Sequence, residues 1–373
     1  MIRKALAARL YFRACCFVLY FAVAAASFNG YYNKWHFAET GASGEDDRFH
    51  FEMMVDGTAY RPYVYRQLLP DTANWLDRVV PHDAKTWLFN HDGIGTEAQQ
   101  GAISDSPTVE STDYFFRYLV LYVATFLFAL LAVYAMYMVC RTLEMPTPAA
   151  LLAPAIVILM IPYFESEGGF FYDYPELAFS ALAFWIALRF DWWWIVPVAI
   201  LGTWNKESFL LFVLTLYPLL RRRGSRLGSW TGIAVLCFAG GAVHYWIRAR
   251  FAHNAGGDME LHWRDQLNFF LHPWNALFSP ETTYGVYGLK AFMLIPVALL
   301  VYAAWRAWPH LPRAIQRHGL IAATINIPLY LLTCWPGEWR NLSLLYIISL
   351  IVLGSCLGEW MSRSKAASVP LSS

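Results

Sequence analysis

The sequence predicts an all-α polytopic membrane protein with about ten transmembrane helices and a partly helical external first loop. Three observations point there. Hydrophobic residues make up 58% of the 373-residue chain and charged residues 15%, whereas soluble domains carry about a quarter charged residues. Apolar runs recur at close to the roughly 20 residues that a spanning helix needs. Arginines gather in alternate short loops, as they do on the cytoplasmic side of membrane proteins. Seventeen Trp and twenty-two Tyr suit side chains that favour the membrane–water interface. The net charge of +1 leaves no basic surface for nucleic acid. Cys15, Cys16, Cys140, Cys237, Cys334 and Cys356 lie in or at the ends of apolar runs, with neither a disulfide framework nor zinc spacing.

The whole of 1–373 reads as one integral membrane domain. Spans are expected near 13–29, 115–140, 147–164, 175–190, 192–204, 207–220, 229–248, 288–305, 320–336 and 342–360. The first follows Arg3, Lys4, Arg9 and Arg13, which belong in the cytoplasm. Basic residues, an apolar stretch and Ala24-Ala25-Ala26 also resemble a signal peptide. An uncleaved span is the expectation, because the remaining chain still needs an inward-basic topology. The fifth and sixth spans are short and flank Asn205-Lys206-Glu207-Ser208. Fusing them would place Arg221-Arg222-Arg223 outside, so two crossings or a broken-helix hairpin over 192–220 is expected. Both termini then lie in the cytoplasm.

The opposite face receives the long loop 30–113, the segment 165–173, the apex 205–207, a second long loop 249–287 and the segment 337–341. Loops as long as the first are usually functional or disordered. Phe49, Phe51, Met54, Leu68, Leu69, Trp75 and Leu76 predict ordered amphipathic helix within 50–80 on the membrane-facing surface, broken by Pro62, Pro70 and Pro81. Residues 92–112, rich in Gly, Ser and Thr, read as mobile loop. Gly93-x-Gly95 lacks the strand–helix context of a phosphate fingerprint.

Ionisable residues at span ends are costly and tend to mark function. Four groups share that face: Asp56 with Arg61 and Arg66; Tyr172-Asp173-Tyr174 with Glu176; Lys206 with Glu207; and Glu338 with Arg340. Each has a plainer reading. The arginines pair equally well with loop carboxylates or lipid phosphates, the Lys206–Glu207 pair suits a solvated turn, and the tyrosines suit the interface. His36, His50, His82 and His91 lack ligand spacing, so no metal is expected of them. Asp46-Asp47 offers oxygen ligands to a divalent cation, although a solvated acidic turn after Gly44 is the simpler reading. The sequence requires no cofactor.

The motif Asp56-Gly-Thr-Ala-Tyr-Arg-Pro-Tyr-Val-Tyr-Arg-Gln-Leu-Leu-Pro70, behind a cytoplasmic N-terminus, one span and an acidic first loop, resembles the GT-C superfamily of polytopic glycosyltransferases. It looks like a motif of bacterial inner-membrane proteins with that layout, and Asn205-Lys206-Glu207-Ser208 is similar to an Arg/Lys-Glu-Ser/Thr motif in a middle span of theirs. The resemblance covers roughly residues 1–220. It implies a bacterial inner membrane, a polyprenyl-phosphate-linked sugar donor, membrane lipids as surroundings, and a glycan, lipid or protein acceptor at the external face. By that analogy Asp56, or secondly Asp47, is the base that deprotonates the acceptor. Arg61, Arg66, Lys206 and Arg340 hold the donor phosphate, guanidinium being suited to bidentate contact. Tyr63, Tyr65 and Trp339 stack on sugar or isoprenoid, with Asp173, Glu207 and Glu338 in support. The chain departs from several GT-C families in having no Asp-Glu pair immediately after the first span; Glu45-Asp46-Asp47 comes later. Two rival readings are a transporter or flippase of a lipid-linked glycan and a non-catalytic scaffold of envelope assembly. Charge gathered on one face and the lack of an apparent two-half repeat argue against transport.

Overall fold

A computed structural model describes residues 2–37, 48–90 and 112–367. Asp46, Asp47, His91 and the expected mobile loop up to residue 111 lie outside them. Among the described residues the chain is almost wholly helical, with one two-stranded hairpin. In chain order the helices are α1 (Ile2–Trp35), α2 (Phe51–Asp56), α3 (Leu68–Val79), α4 (His82–Asn90), α5 (Thr112–Thr142), α6 (Thr147–Phe164), α7 (Asp173–Arg189), α8 (Val196–Asn205), α9 (Phe209–Thr215), α10 (Tyr217–Arg223) and α11 (Arg226–Arg250). After α12 (Trp263–Leu271) and α13 (Pro273–Leu277) come strands β1 (Pro280–Thr283) and β2 (Val286–Leu289), then α14 (Leu294–Ala307), α15 (Arg313–Thr333) and α16 (Tyr346–Ala367).

Six segments are long and apolar enough to cross a membrane: Leu10–Trp35, Tyr114–Thr142, Thr147–Phe164, Arg226–Arg250, Lys290–His310 and Ser343–Arg363. The other four expected spans are helical too, but α7, α8, the α9–α10 pair and α15 do not meet that description. With ten residues, α8 reaches only about 15 Å, half of a hydrocarbon core of roughly 30 Å.

The segment 192–223 is a hairpin. A Cβ placed on Gly240 of α11 would meet both Thr203 of α8 and Leu210 of α9, and one on Gly232 would meet Trp192. The chain therefore climbs α11 from Trp192 to Thr203, turns at 205–208, and descends through α9 and α10. At the foot, Arg223 donates to the Phe190 carbonyl at 2.9 Å. That end of the bundle collects Arg141, Arg189, Arg221, Arg222, Arg223, Arg226, Arg306, Arg313, Arg317 and Arg363 at helix termini or within the adjoining turns.

α1 packs into the core. Tyr20, Ala24, Phe28, Tyr31 and Tyr32 are buried against α5 and α6, where Tyr20 meets Tyr134 edge-on at 5.2 Å and Ser27 donates to the Ile158 carbonyl at 2.6 Å.

The first loop is helical between 50 and 80, as its apolar spacing predicts, but its face is turned the other way. Phe51, Met54, Leu68 and Leu69 are buried in the protein, with Phe51 on Tyr118 of α5 at 4.9 Å; of the expected membrane-facing set, Trp75 is exposed. Periodicity identifies an apolar stripe but not what covers it, and here α5 covers it. Gly57 ends α2 in the left-handed region at φ 71°, which a side chain would oppose.

The two long loops zip together beyond this point. Arg61 N donates to the Ala255 carbonyl at 2.8 Å and its guanidinium to the Gly256 carbonyl at 2.6 Å. Asn254 donates to the carbonyls of Gly57 and Ala59, and the Tyr65 hydroxyl to Asp258 at 2.8 Å. The β-hairpin is clamped by a Lys34–Glu281 ion pair at 2.9 Å and by Tyr284, whose hydroxyl reaches the Leu159 carbonyl at 2.8 Å.

Reporter fusions test the hairpin directly. Fusions after Arg141, Arg223 and Arg317 are expected on one side of the membrane and fusions near Lys206 and Glu260 on the other. A fusion at Lys206 that reads with Arg223 contradicts the turn at 205–208. The loop zipper carries its own pH signature. The hydrogen bond from Tyr65, reinforced by Arg248 and Arg61, holds the Asp258 carboxyl below its ordinary value. A depressed carboxyl stabilises the fold above its unfolded pKa of about 3.9 and loses that contribution as pH falls further. Amide exchange over 254–261, corrected for intrinsic rates, should therefore accelerate only below about pH 4. Asp258→Asn should abolish that acid step; its persistence in the variant would assign the step elsewhere.

Candidate functional site: a buried charge network at one end of the bundle

The end opposite the arginine-rich one carries a network that sequence alone places only on a common face. Two carboxylates enter in the first turn of α7, where Asp173 and Glu176 complement the positive end of the helix dipole. Asp173 caps its own turn by accepting from Phe170 N at 2.9 Å. Lys206 stands where α8 stops, and a cation is favoured at a helix C-terminus. Its ammonium donates to Glu176 Oε2 at 2.7 Å, lies 3.6 Å from Asp173 Oδ1, and donates to Asn341 Oδ1 at 3.3 Å. The hydroxyls of Ser208 and Ser343 both donate to Glu176 Oε1 at 2.6 Å. Arg340 arrives from the turn before α16, 3.3 Å from Asp173 and 2.9 Å from Glu338. Asp173, Glu176, Lys206 and Arg340 are each no more than 4% exposed.

Arg66, at the end of the sequence motif, extends this network to the rim. It donates to the Tyr172 hydroxyl and to Glu207 Oε1, the latter at 3.2 Å. An aromatic layer joins the two arginines: Arg340 lies 4.6 Å over Phe170, Phe170 stacks on Tyr172 at 5.0 Å and 7°, and Arg66 lies 4.6 Å over Tyr172. Such contacts strengthen when desolvated. Gly168, at φ 120°, lies where an added Cβ would meet the Arg340 guanidinium at 3.7 Å.

Three cations (Arg66, Lys206, Arg340) thus face four carboxylates (Asp173, Glu176, Glu207, Glu338). Behind them Glu165 is fully buried, and burial, then the nearby Asp173 carboxylate, pushes its carboxyl well above the ordinary range. A neutral acid is the form that such a site favours. The network is not saturated. Arg66 Nε, Arg340 Nε and Trp339 Nε1 are buried donors without a partner among the described residues; Glu207 Oε2 is a buried acceptor without one, and both oxygens of the Glu165 carboxyl are likewise unpartnered. Groups of this kind are uncommon in proteins and call for an explanation. The arrangement keeps one N–H of each of two guanidinium groups and one carboxylate oxygen in reserve.

The structure brings Arg66, Asp173, Lys206, Glu207, Glu338 and Arg340 into one system. It does not bring in Asp56. That carboxylate, half exposed, accepts from Tyr114 at 2.6 Å and Arg117 at 2.9 Å, and none of its polar contacts among the described residues reaches Lys206 or Arg340. Arg61 serves the loop zipper, 3.8 Å from Asp258. Tyr65 serves it too, whereas Tyr63 packs on Phe49 at 4.6 Å beside Arg66. Trp339 stacks on Tyr330 at 5.9 Å. Asp47 lies outside the described residues, and with it the candidate cation ligands Asp46-Asp47.

Phe170, Asn326, Asn341 and Ser343 went unread in the sequence. Asn326 had a usable signal, a lone amide within an apolar run. It donates to the Asn341 carbonyl at 2.8 Å and accepts from Leu344 N at 3.0 Å, fixing the strand of chain that carries Arg340. Comparison with protein-family models, curated proteins and solved structures finds no match.

Removing one partner of a buried ion pair strands the other and typically costs about 3–5 kcal/mol. Arg340→Leu, which strands Asp173 and Glu338, is expected to destabilise by that order in thermal unfolding in detergent. Arg363→Leu, at an exposed pair with Glu359, should stay within about 1 kcal/mol of wild type. Equal effects of the two would mean that the network does not hold the bundle end.

Proposed function

We propose that the chain is a membrane glycosyltransferase that moves a sugar from a polyprenyl-phosphate-linked donor to an envelope glycan, lipid or protein acceptor. In this reading the arginine-rich end faces the cytoplasm of a bacterial inner membrane, with about ten crossings counting the 192–223 hairpin, and both termini are inside. The network end then faces outward. The observation that carries the reading is the pair of partnerless buried guanidinium donors, Arg66 Nε and Arg340 Nε, in the same network as a carboxylate with one idle oxygen, Glu207 Oε2. The GT-C-like layout and motifs support it.

The reaction follows from those groups. The acceptor hydroxyl oxygen bonds to the anomeric carbon, the bond from that carbon to the donor phosphate oxygen breaks, and the hydroxyl proton passes to Glu207. The departing lipid phosphate gains negative charge, which Arg66 and Arg340 are placed to stabilise. Lys206, tied to Glu176 and Asp173, holds the site together in this scheme. Asp56 is the alternative base suggested by resemblance, and its ties to Tyr114 and Arg117 favour Glu207 over it.

The α8–α9 break favours a second reading. Interrupted helices form the binding sites of many transporters, and a flippase of a lipid-linked glycan would use the same guanidinium donors without a base.

Purified protein in liposomes, assayed against a panel of polyprenyl-phosphate sugars, separates the readings. Glu207→Gln should lower turnover by about 10²-fold or more, the usual effect of removing a general base, and Asp56→Asn by under about tenfold. A dead Asp56→Asn with active Glu207→Gln would move the base to Asp56. Lipid-linked glycan that changes leaflet with no glycosylated product would favour transport.

A further inference from the structure

The arginine-rich end holds a feature that the proposed reaction does not use. Between α10 and the first two turns of α15 lies an open groove of about 450 Å³, lined by Arg221, Arg222, Arg317, Pro218, Leu320 and Ile321 among others. Its chemistry is graded. The three arginines are exposed, and no carboxylate among the described residues forms an ion pair with any of them. Arg221 spends one donor on the Gly224 carbonyl at 2.8 Å; Arg222 and Arg317 make no hydrogen bond among the described residues. Deeper along both helices the walls are apolar, and Leu320 is 56% exposed. On the other face of α10 a second cavity of about 250 Å³ shares Arg222 and adds Arg223, so positive charge continues around the helix. Tyr217 packs on the exposed Trp230 at 4.4 Å, an aromatic pair of the kind that sits at headgroup level.

The geometry points to a seat for an anionic glycerophospholipid in this groove, its phosphate held by Arg221, Arg222 and Arg317 and its acyl chains running along Pro218, Leu320 and Ile321. Charge complementarity selects the occupant. A zwitterionic lipid brings its own cation against three guanidinium groups that lack counter-charges, and a soluble anion has no use for the apolar walls. Basic pockets between helices on the cytoplasmic side are recognised in this way by anionic headgroups, and guanidinium offers bidentate geometry to phosphate. The groove joins α15 to the foot of the 192–223 hairpin, so a bound lipid would brace the hairpin that presents Lys206 at its other end. The seat depends on the charge and shape of this end and not on the chemistry at the opposite one.

The test uses the full-length protein, delipidated in a non-ionic detergent, with lipid binding titrated by native mass spectrometry. Dioleoyl phosphatidylglycerol should bind saturably and at least about fivefold tighter than dioleoyl phosphatidylcholine, the factor expected from one arginine's attraction to an anionic headgroup. Arg317→Gln and Arg221→Gln, read separately so that neighbouring arginines keep the topology, should each weaken phosphatidylglycerol about fivefold and leave phosphatidylcholine unchanged. Arg363→Gln, at the same end but outside the groove, should change neither. Equal binding of the two lipids by wild type would overturn the seat without any variant being needed. So would unchanged phosphatidylglycerol affinity in both groove variants, or displacement of the lipid by equimolar inorganic phosphate, which would make it a free-anion site.

Discussion

Charge buried among apolar helices must be neutralised locally, because each ion taken out of water costs several kcal/mol that only close opposite charge and hydrogen bonds offset. That constraint organises this protein. Asp173 and Glu176 at the start of α7 require Lys206, which fixes where α8 stops and the hairpin turns. Asp173 also requires Arg340, which fixes the turn leading into α16. Three stretches of chain distant in sequence therefore meet because none of their charges is stable alone. The hydroxyls of Ser208 and Ser343 donate to Glu176, and the amide of Asn326 holds the backbone of Asn341 and Leu344 beside them.

The outer loops are arranged around this junction. Gln67 N donates to the Trp204 carbonyl at 3.2 Å, and Asp71 accepts from Trp204 Nε1 and from Arg250. Arg66, one residue before Gln67, is thereby directed onto Tyr172 and Glu207. The loop zipper of Arg61, Asn254 and Asp258 and the buried face of α2 and α3 hold that segment from the other side. Arg66, Arg340 and Glu207 each keep one buried polar atom without a partner among the described residues. The far end has the opposite design, with exposed arginines mostly free of carboxylates among the described residues.

The sequence revealed the helices and the shared face of the charged residues, because apolar run length and arginine placement report directly on a chain immersed in lipid. Arg221-Arg222-Arg223 alone forced a reversal within 192–220, and Thr203 and Leu210 meeting at Gly240 match it. Pairing was not legible. Asp56 and Asp173 look equivalent as isolated acidic residues, and only the fold gives one to Arg117 near the surface and the other to Arg340 in the interior. The facing of α2 and α3 was misread for the same reason, since a stripe of Phe51, Met54, Leu68 and Leu69 suits α5 as well as it suits lipid.

The dependence of the fold on paired charge is tested most directly by a double-mutant cycle between Lys206 and Glu176, using Lys206→Met, Glu176→Met and the double variant, read as unfolding free energy in detergent. A pair that is stable only together predicts two costly single variants and a double variant much less destabilised than their sum, with a coupling of about 2 kcal/mol or more. Additivity within about 0.5 kcal/mol, the behaviour of independent sites, would contradict it.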